Sequence, residues 1–214
     1  MSKRLLIVGV SGYAKEVGQI ARRVDPGKRI WDPISYVSET SIEKGGSRLH
    51  GAIDFCDEDV LKGSVAGDVV IGVGEPELRR KVASRYAGIP GLSFPNLIDP
   101  SVEIDNALIV MGRGNILHRG VILTCDVTIG DFNLFNKGAI ISHDVRIGSY
   151  NSVQPAASML SRSAIGDGCT IGAGACMLPG TSVPDGTTLG AGAVLLRTIS
   201  EPGVYVGVPA RRLR

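Results

Sequence analysis

The chain has 214 residues, of which 29 are Gly, while Phe, Trp and Tyr together supply 10. That is roughly 14% Gly against a usual ~7%; without a G-X-Y period it excludes collagen, and 43% apolar with 21% charged residues excludes a disordered chain. With 23 basic against 21 acidic residues, the net charge of +2 gives no mandate for nucleic acid or a membrane surface, and no apolar run approaches the ~20 residues of a spanning helix.

Lys3 and Arg4 precede an apolar run, but Lys15 and Glu16 follow too soon for a signal peptide. The run RLLIVGV (4–10) therefore reads as a buried strand, and Tyr13 to Val24 as a helix closed by the turn Asp25-Pro26-Gly27. A weaker strand is predicted near Ile34–Val37 and a strong one at VVIGVG (69–74). Pro76 opens a cation-rich helix to about Ala87, its missing N–H being harmless in a first turn, and a last strand runs near Leu92–Ile98. Strands alternating with helices predict a small parallel α/β domain over residues 1–98.

Residues 99–214 follow another rule. Every sixth residue from Met111 to Leu195 is apolar, a run with a chance probability of about three in a million at this composition. Two residues before each stands a small, β-branched or Asn residue, as at Asn133, Ala139, Val145 and Asn151, and Gly recurs directly after, as at Gly130, Gly148, Gly166 and Gly172. Positions two apart in a strand face the same side, so both residues point inward, and Gly is expected to turn a corner. A helix would need a period near 3.6; six-residue strand-and-corner units predict a parallel β-helix. The cysteines, Cys56, Cys125, Cys169 and Cys176, form no CxxC pair and no secreted framework, which suits a reduced, cytoplasmic protein.

The repeat, as in Ile165-Gly166-Asp167-Gly168-Cys169-Thr170, resembles that of the hexapeptide-repeat acyltransferases. Four features resemble, more narrowly, the sugar acetyltransferases of the sialic-acid O-acetyltransferase group, which includes bacterial UDP-amino-sugar N-acetyltransferases. They are IVGVSGYAKEV (7–17), IGVGEPELRR (71–80), Ser142-His143-Asp144 and the closing GVYVGVPARRLR (203–214). The resemblance implies a left-handed β-helix, a homotrimer with active sites between subunits, acetyl-CoA as acyl donor and a nucleotide-linked sugar held by the N-terminal domain. The implied activity is N-acetylation of a nucleotide-linked amino sugar for glycan synthesis, without a metal. O-acetylation of a sugar is the nearest alternative, and a non-catalytic trimeric assembly module is the alternative of another class.

Of the three histidines, His50, His118 and His143, only His143 lies at a corner beside a carboxylate, Asp144. A neutral imidazole suits removal of a proton from an attacking amine, and a carboxylate orients it. The resemblance gives His143 the role of base, Asp144 that of its partner, and Asn136 a place near the acceptor. It also implies coenzyme contacts at Ser161, where relatives carry Gly, and at Pro209 and Arg211; Ala173, Gly174, Ala191 and Gly192 qualify as corners that a pantetheine arm can approach. For the substrate, Gly9, Ser11, Gly12 and Tyr13 link a strand to a helix, where free N–H groups meet phosphate, and Gly74, Glu75 and Glu39 follow the other strands. Relatives carry His where Tyr13 stands and an acidic pair where only Glu39 is present. Neither membrane insertion nor nucleic acid is expected.

Overall fold

The computed structural model describes residues 2–39 and 52–213; His50 lies outside the described residues. The chain divides into two compact units, Met1–Asp99 and Pro100–Arg214.

In the first unit β1 (Lys3–Val8) leads to α1 (Gly12–Val24), β2 (Trp31–Ser38), β3 (Ala52–Cys56), α2 (Asp57–Leu61), β4 (Gly67–Ile71), α3 (Pro76–Tyr86) and β5 (Leu92–Ser93). The sheet has the order β3-β2-β1-β4-β5 and is parallel throughout, with Ile7 beside both Tyr36 and Val70. Leu5, Leu6 and Ile7 are fully buried, as a central strand covered on both faces requires. Helix α1 starts where the Ser11 hydroxyl accepts from the Ala14 N–H, and buries Ala14, Val17, Ile20 and Ala21 on one face. Helix α3 is capped by Glu75, whose carboxylate accepts from the backbone N–H groups of Glu77 and Leu78, with Pro76 in its first turn.

The structure departs from the sequence reading in three places. The strand expected over Leu92–Ile98 is two short ones, Leu92–Ser93 and Leu97–Ile98. Strand β4 stops at Ile71, before Gly72, whose missing side chain leaves room for Ala14: a Cβ there would lie 2.9 Å from the Ala14 Cβ. Strand β3 and helix α2 are additional, and β3 is an edge strand of Ala-Ile-Asp-Phe-Cys whose apolar signal is interrupted by Asp54.

The second unit is a parallel β-helix. Short strands from Ile109–Met111 to Val194–Leu195 stack into three faces, and each strand pairs with the one eighteen residues on, as in Ile129↔Ile147, Ile147↔Ile165 and Ile165↔Val183. The six-residue series fills the interior: from Leu117 to Leu195 every member is at most 8% exposed, and only Met111, at the first strand, is half-buried. The small residues two places earlier, from Asn133 to Ala193, are buried beside them. Among them an internal ladder holds successive coils in register: the Asn115 side-chain oxygen accepts from the Asn133 backbone N–H, Asn133 from Asn151, and Asn151 from Cys169. At Cys169 the ladder ends in a thiol that burial pushes up to about 11. A second ladder caps an outer corner, where Asp185 accepts from the backbone of Asp167, Asp167 from that of Ser149, and the Ser149 hydroxyl from that of Asp131.

The recurrent glycines have another reason than the predicted one. Gly130 and Gly148 do not turn the corner in a left-handed conformation; they lie under the next coil, where a Cβ would come within 2.7 Å of the carbonyl oxygens of Gly148 and Gly166. The left-handed residue comes two places later and recurs at every sixth position from Gly114 to Gly192, Asp144 (φ 61°) among them.

Candidate active site

Each coil has three corners. The corner after the Ile140–Ile141 strand carries Ser142, His143 and Asp144, and one coil on it carries Ser161 and Arg162. His143 and Asp144 are adjacent in sequence, yet the left-handed backbone at Asp144 lets both side chains meet outside the prism: His143 Nδ1 lies 2.8 Å from Asp144 Oδ2. On the other edge of the ring, Nε2 lies 2.8 Å from the Ser161 hydroxyl. A carboxylate only accepts, so in the neutral ring Nδ1 carries the proton and Nε2 presents a lone pair. The His143 side chain is 47% exposed and that of Asp144 51%, which leaves Nε2 within reach of a docking substrate. The backbone beneath is fixed, since the Arg162 N–H donates to the His143 carbonyl and the Gly180 N–H to that of Ser161.

The predicted coenzyme corners lie elsewhere on the coil. Ala173, Gly174, Ala191 and Gly192 are exposed on the corner after the Thr170–Ile171 and Thr188–Leu189 strands, stacked so that the Gly192 N–H donates to the Ala173 carbonyl at 2.8 Å. Asn136 sits on that same corner, its side-chain oxygen accepting from the Lys137 N–H, and His118, one coil earlier, is buried. Within one chain, then, His143, Asp144 and Ser161 form one cluster, while Asn136 and the Ala-Gly positions occupy the preceding corner. Pro209 and Arg211 line a third feature, a groove between Leu195–Glu201 and Tyr205–Arg212, where Arg197 and Arg211 are exposed and Arg212 is tied to Glu201.

In the first unit the predicted substrate residues all lie at the carboxyl edge of the sheet, the edge at which ligands of open parallel sheets bind. Gly9 follows β1 with φ 116°, and a Cβ on it would lie 3.1 Å from the Gly72 carbonyl, so the loops after β1 and β4 nearly touch. Ser11 and Gly12 are exposed at the start of α1, Tyr13 is half-buried, Glu39 is exposed after β2, and Gly74 and Glu75 follow β4. Glu75 is occupied as the cap of α3.

Two contributors were not assigned from the sequence. Arg79 is 1% exposed and donates through Nη1 to the carbonyls of Val73 and Gly74, fixing the loop after β4. Burial lowers its pKa to about 10, opposed by Tyr13 and Glu75, so it stays cationic at neutral pH. Burial likewise raises the Tyr13 phenol above its ordinary value, against the pull of Arg79. The other is the link from Ser161 to His143; its signal is the eighteen-residue spacing, which is one full coil.

No protein-family model and no curated protein matches the chain. Solved structures do. The acetyltransferase domain of PglB from Neisseria gonorrhoeae superposes with a TM-score of 0.89 at 24% identity, covering 99% of this chain and 100% of that one. PerB from Caulobacter crescentus, solved with CoA and GDP-perosamine, gives 0.84 at 25% identity over 97% and 96%. A histidine variant of perosamine N-acetyltransferase from the same organism, with the same two ligands, gives 0.86 at 25% over 97% and 95%. The chain is similar over its whole length to hexapeptide-repeat sugar N-acetyltransferases, both α/β unit and β-helix included.

Proposed function

We propose that the protein is an acetyl-CoA-dependent N-acetyltransferase that acts on a nucleotide-linked amino sugar in glycan synthesis, with His143 as general base. The observation that carries this reading is the His143 ring, held by Asp144 at Nδ1 and open to solvent at a β-helix corner, in a chain that matches PerB at full length. The amine attacks the thioester carbonyl, Nε2 takes its proton, and Asp144 stabilises the imidazolium that forms; the proton then passes to the departing thiolate. The carboxyl edge of the N-terminal sheet, with Gly9, Ser11, Gly12 and Tyr13, receives the nucleotide-sugar, and the cationic groove at Pro209 and Arg211 receives the coenzyme phosphates.

The separation of His143 from the Ala173 and Ala191 corners within one chain supports a homotrimer, in which the His143 corner of one copy faces the coenzyme corner of the next. Symmetric closure by a repeated interface suits such a heterologous site. The same reading assigns the reaction to the cytoplasm, and the need for acetyl-CoA together with four free cysteines supports it. Among the described residues no helix is long and apolar enough to cross a membrane.

The test is thiol release from acetyl-CoA against a panel of UDP-, GDP-, dTDP- and CMP-linked amino sugars. On the best acceptor His143→Ala is expected to lower kcat/KM by at least ~10²-fold. Transfer at the wild-type rate in that variant removes His143 from the chemistry.

A further inference from the structure

Ser161 occupies the position at His143 Nε2 that the attacking amine needs. Its hydroxyl is 2.8 Å from Nε2, and the opposite ring nitrogen is 2.8 Å from Asp144. With Nδ1–H directed at the carboxylate, Nε2 accepts the hydroxyl proton, so carboxylate, imidazole and hydroxyl stand in the order that activates a serine nucleophile. The spacing does not depend on loop position. His143 and Ser161 stand on stacked coils whose strands Ile140–Ile141 and Ser158–Met159 pair in register, and the Arg162 N–H donates to the His143 carbonyl at 3.0 Å. Ser161 is half-buried and His143 exposed, so the hydroxyl lies at the surface a thioester would reach. Coenzyme contact alone gives no reason for a hydroxyl aimed at the base.

We propose that Ser161 gives this corner a second activity, acceptor-independent cleavage of acyl-CoA through an acyl-Ser161 ester. The proposal rests on the reading of the corner as an acyl-CoA site. In the first step the Ser161 oxygen attacks the thioester carbonyl carbon and its proton passes to Nε2; the C–S bond breaks, and the thiolate takes that proton and leaves as CoA. In the second, water attacks the ester carbon and gives its proton to Nε2. The bond from carbon to the Ser161 oxygen breaks, that oxygen recovers the proton, and the carboxylic acid leaves. No oxidant or metal enters the balance. A bound amino sugar competes with Ser161 for the same lone pair, so direct transfer and serine acylation draw on one base and exclude each other in a given turnover.

The test uses the full-length protein and acetyl-CoA with no sugar present. Free thiol is followed over time, and acid-quenched samples are digested and weighed by mass spectrometry. Wild type is expected to release thiol and to carry one acetyl group on the peptide containing Ser161. Ser161→Ala is expected to lower release by at least ~10²-fold, and Ser161→Cys to keep the acetyl group as a thioester on the same peptide. Thiol release by Ser161→Ala at the wild-type rate, or quenched wild type and Ser161→Cys both free of acetyl on that peptide, overturns the proposal. Transfer to the amino-sugar panel, measured on the same wild-type preparation, separates the two readings. Transfer without acylation of Ser161 overturns the second activity alone, and absence of transfer to every sugar strikes the transferase reading instead.

Discussion

At Asp144 the main chain takes a left-handed turn, and the side chain, no longer splayed away from its neighbour, meets His143. Adjacent residues in a regular strand point to opposite faces, so the pair was legible in the sequence as a motif but its contact was not. Ser161 was read as a coenzyme contact, but its tie to His143 was hidden for a related reason: it appears only once the coil length of eighteen is applied to side chains as well as to strands. In the N-terminal unit Asp25 shows how much one carboxylate can organise. Although burial opposes ionisation, the backbone N–H groups of Arg29, Ile30 and Trp31, at 2.7–2.8 Å, hold its carboxyl below the usual range and shape the entry into β2. A carboxyl depressed in the folded state stabilises above its unfolded pKa and loses that contribution as pH falls through the folded one. Urea midpoints measured from pH 7 down to pH 3 are therefore expected to fall more steeply in wild type than in Asp25→Asn. Parallel curves would remove Asp25 from the acid response.

The strands and helices of both units were legible wherever burial is one-sided and periodic. The six-residue series is of that kind, and Leu5–Val8, covered on both faces, was legible instead as a continuous apolar run; each forms the element its pattern predicts. Strand β3 was not, because an edge strand carrying Asp54 is half-buried and lacks a strong pattern. The glycines were located correctly but explained by the wrong cause. Gly130 is needed for close approach, a Cβ there meeting the Gly148 carbonyl oxygen at 2.7 Å, whereas Gly180 has open space around it and φ 72°. Substitution by Ala is expected to cost about 1–3 kcal/mol at Gly130 through overpacking and about 1–2 kcal/mol at Gly180 through backbone strain. Asn separates the causes, since it tolerates the left-handed region but is larger than Ala. Gly180→Asn should lower the urea midpoint less than Gly180→Ala, and Gly130→Asn more than Gly130→Ala. The same order at both sites would contradict two different causes.

For the molecule as a whole, one chain holds His143 and Asp144 on one corner and the exposed Ala-Gly positions on another. The fold was readable because six-residue strand-and-corner units stack as a parallel β-helix, and the full-length likeness to PerB and PglB agrees with it. The assembly was not readable from periodicity, since a repeat specifies what stacks within a chain and not what lies beside it. A site that joins two copies makes a demand that no single-chain site makes: inactive chains with different lesions must repair each other. Co-expression of His143→Ala with Gly192→Trp, which fills the corner proposed for the coenzyme, is the direct measurement. Each variant alone should transfer acetyl at no more than ~1% of the wild-type rate, and mixed oligomers should recover about a quarter of it, the share of interfaces that pair an intact base with an intact corner under random assortment. Recovery no greater than the sum of the two separate variants would contradict a site shared between copies.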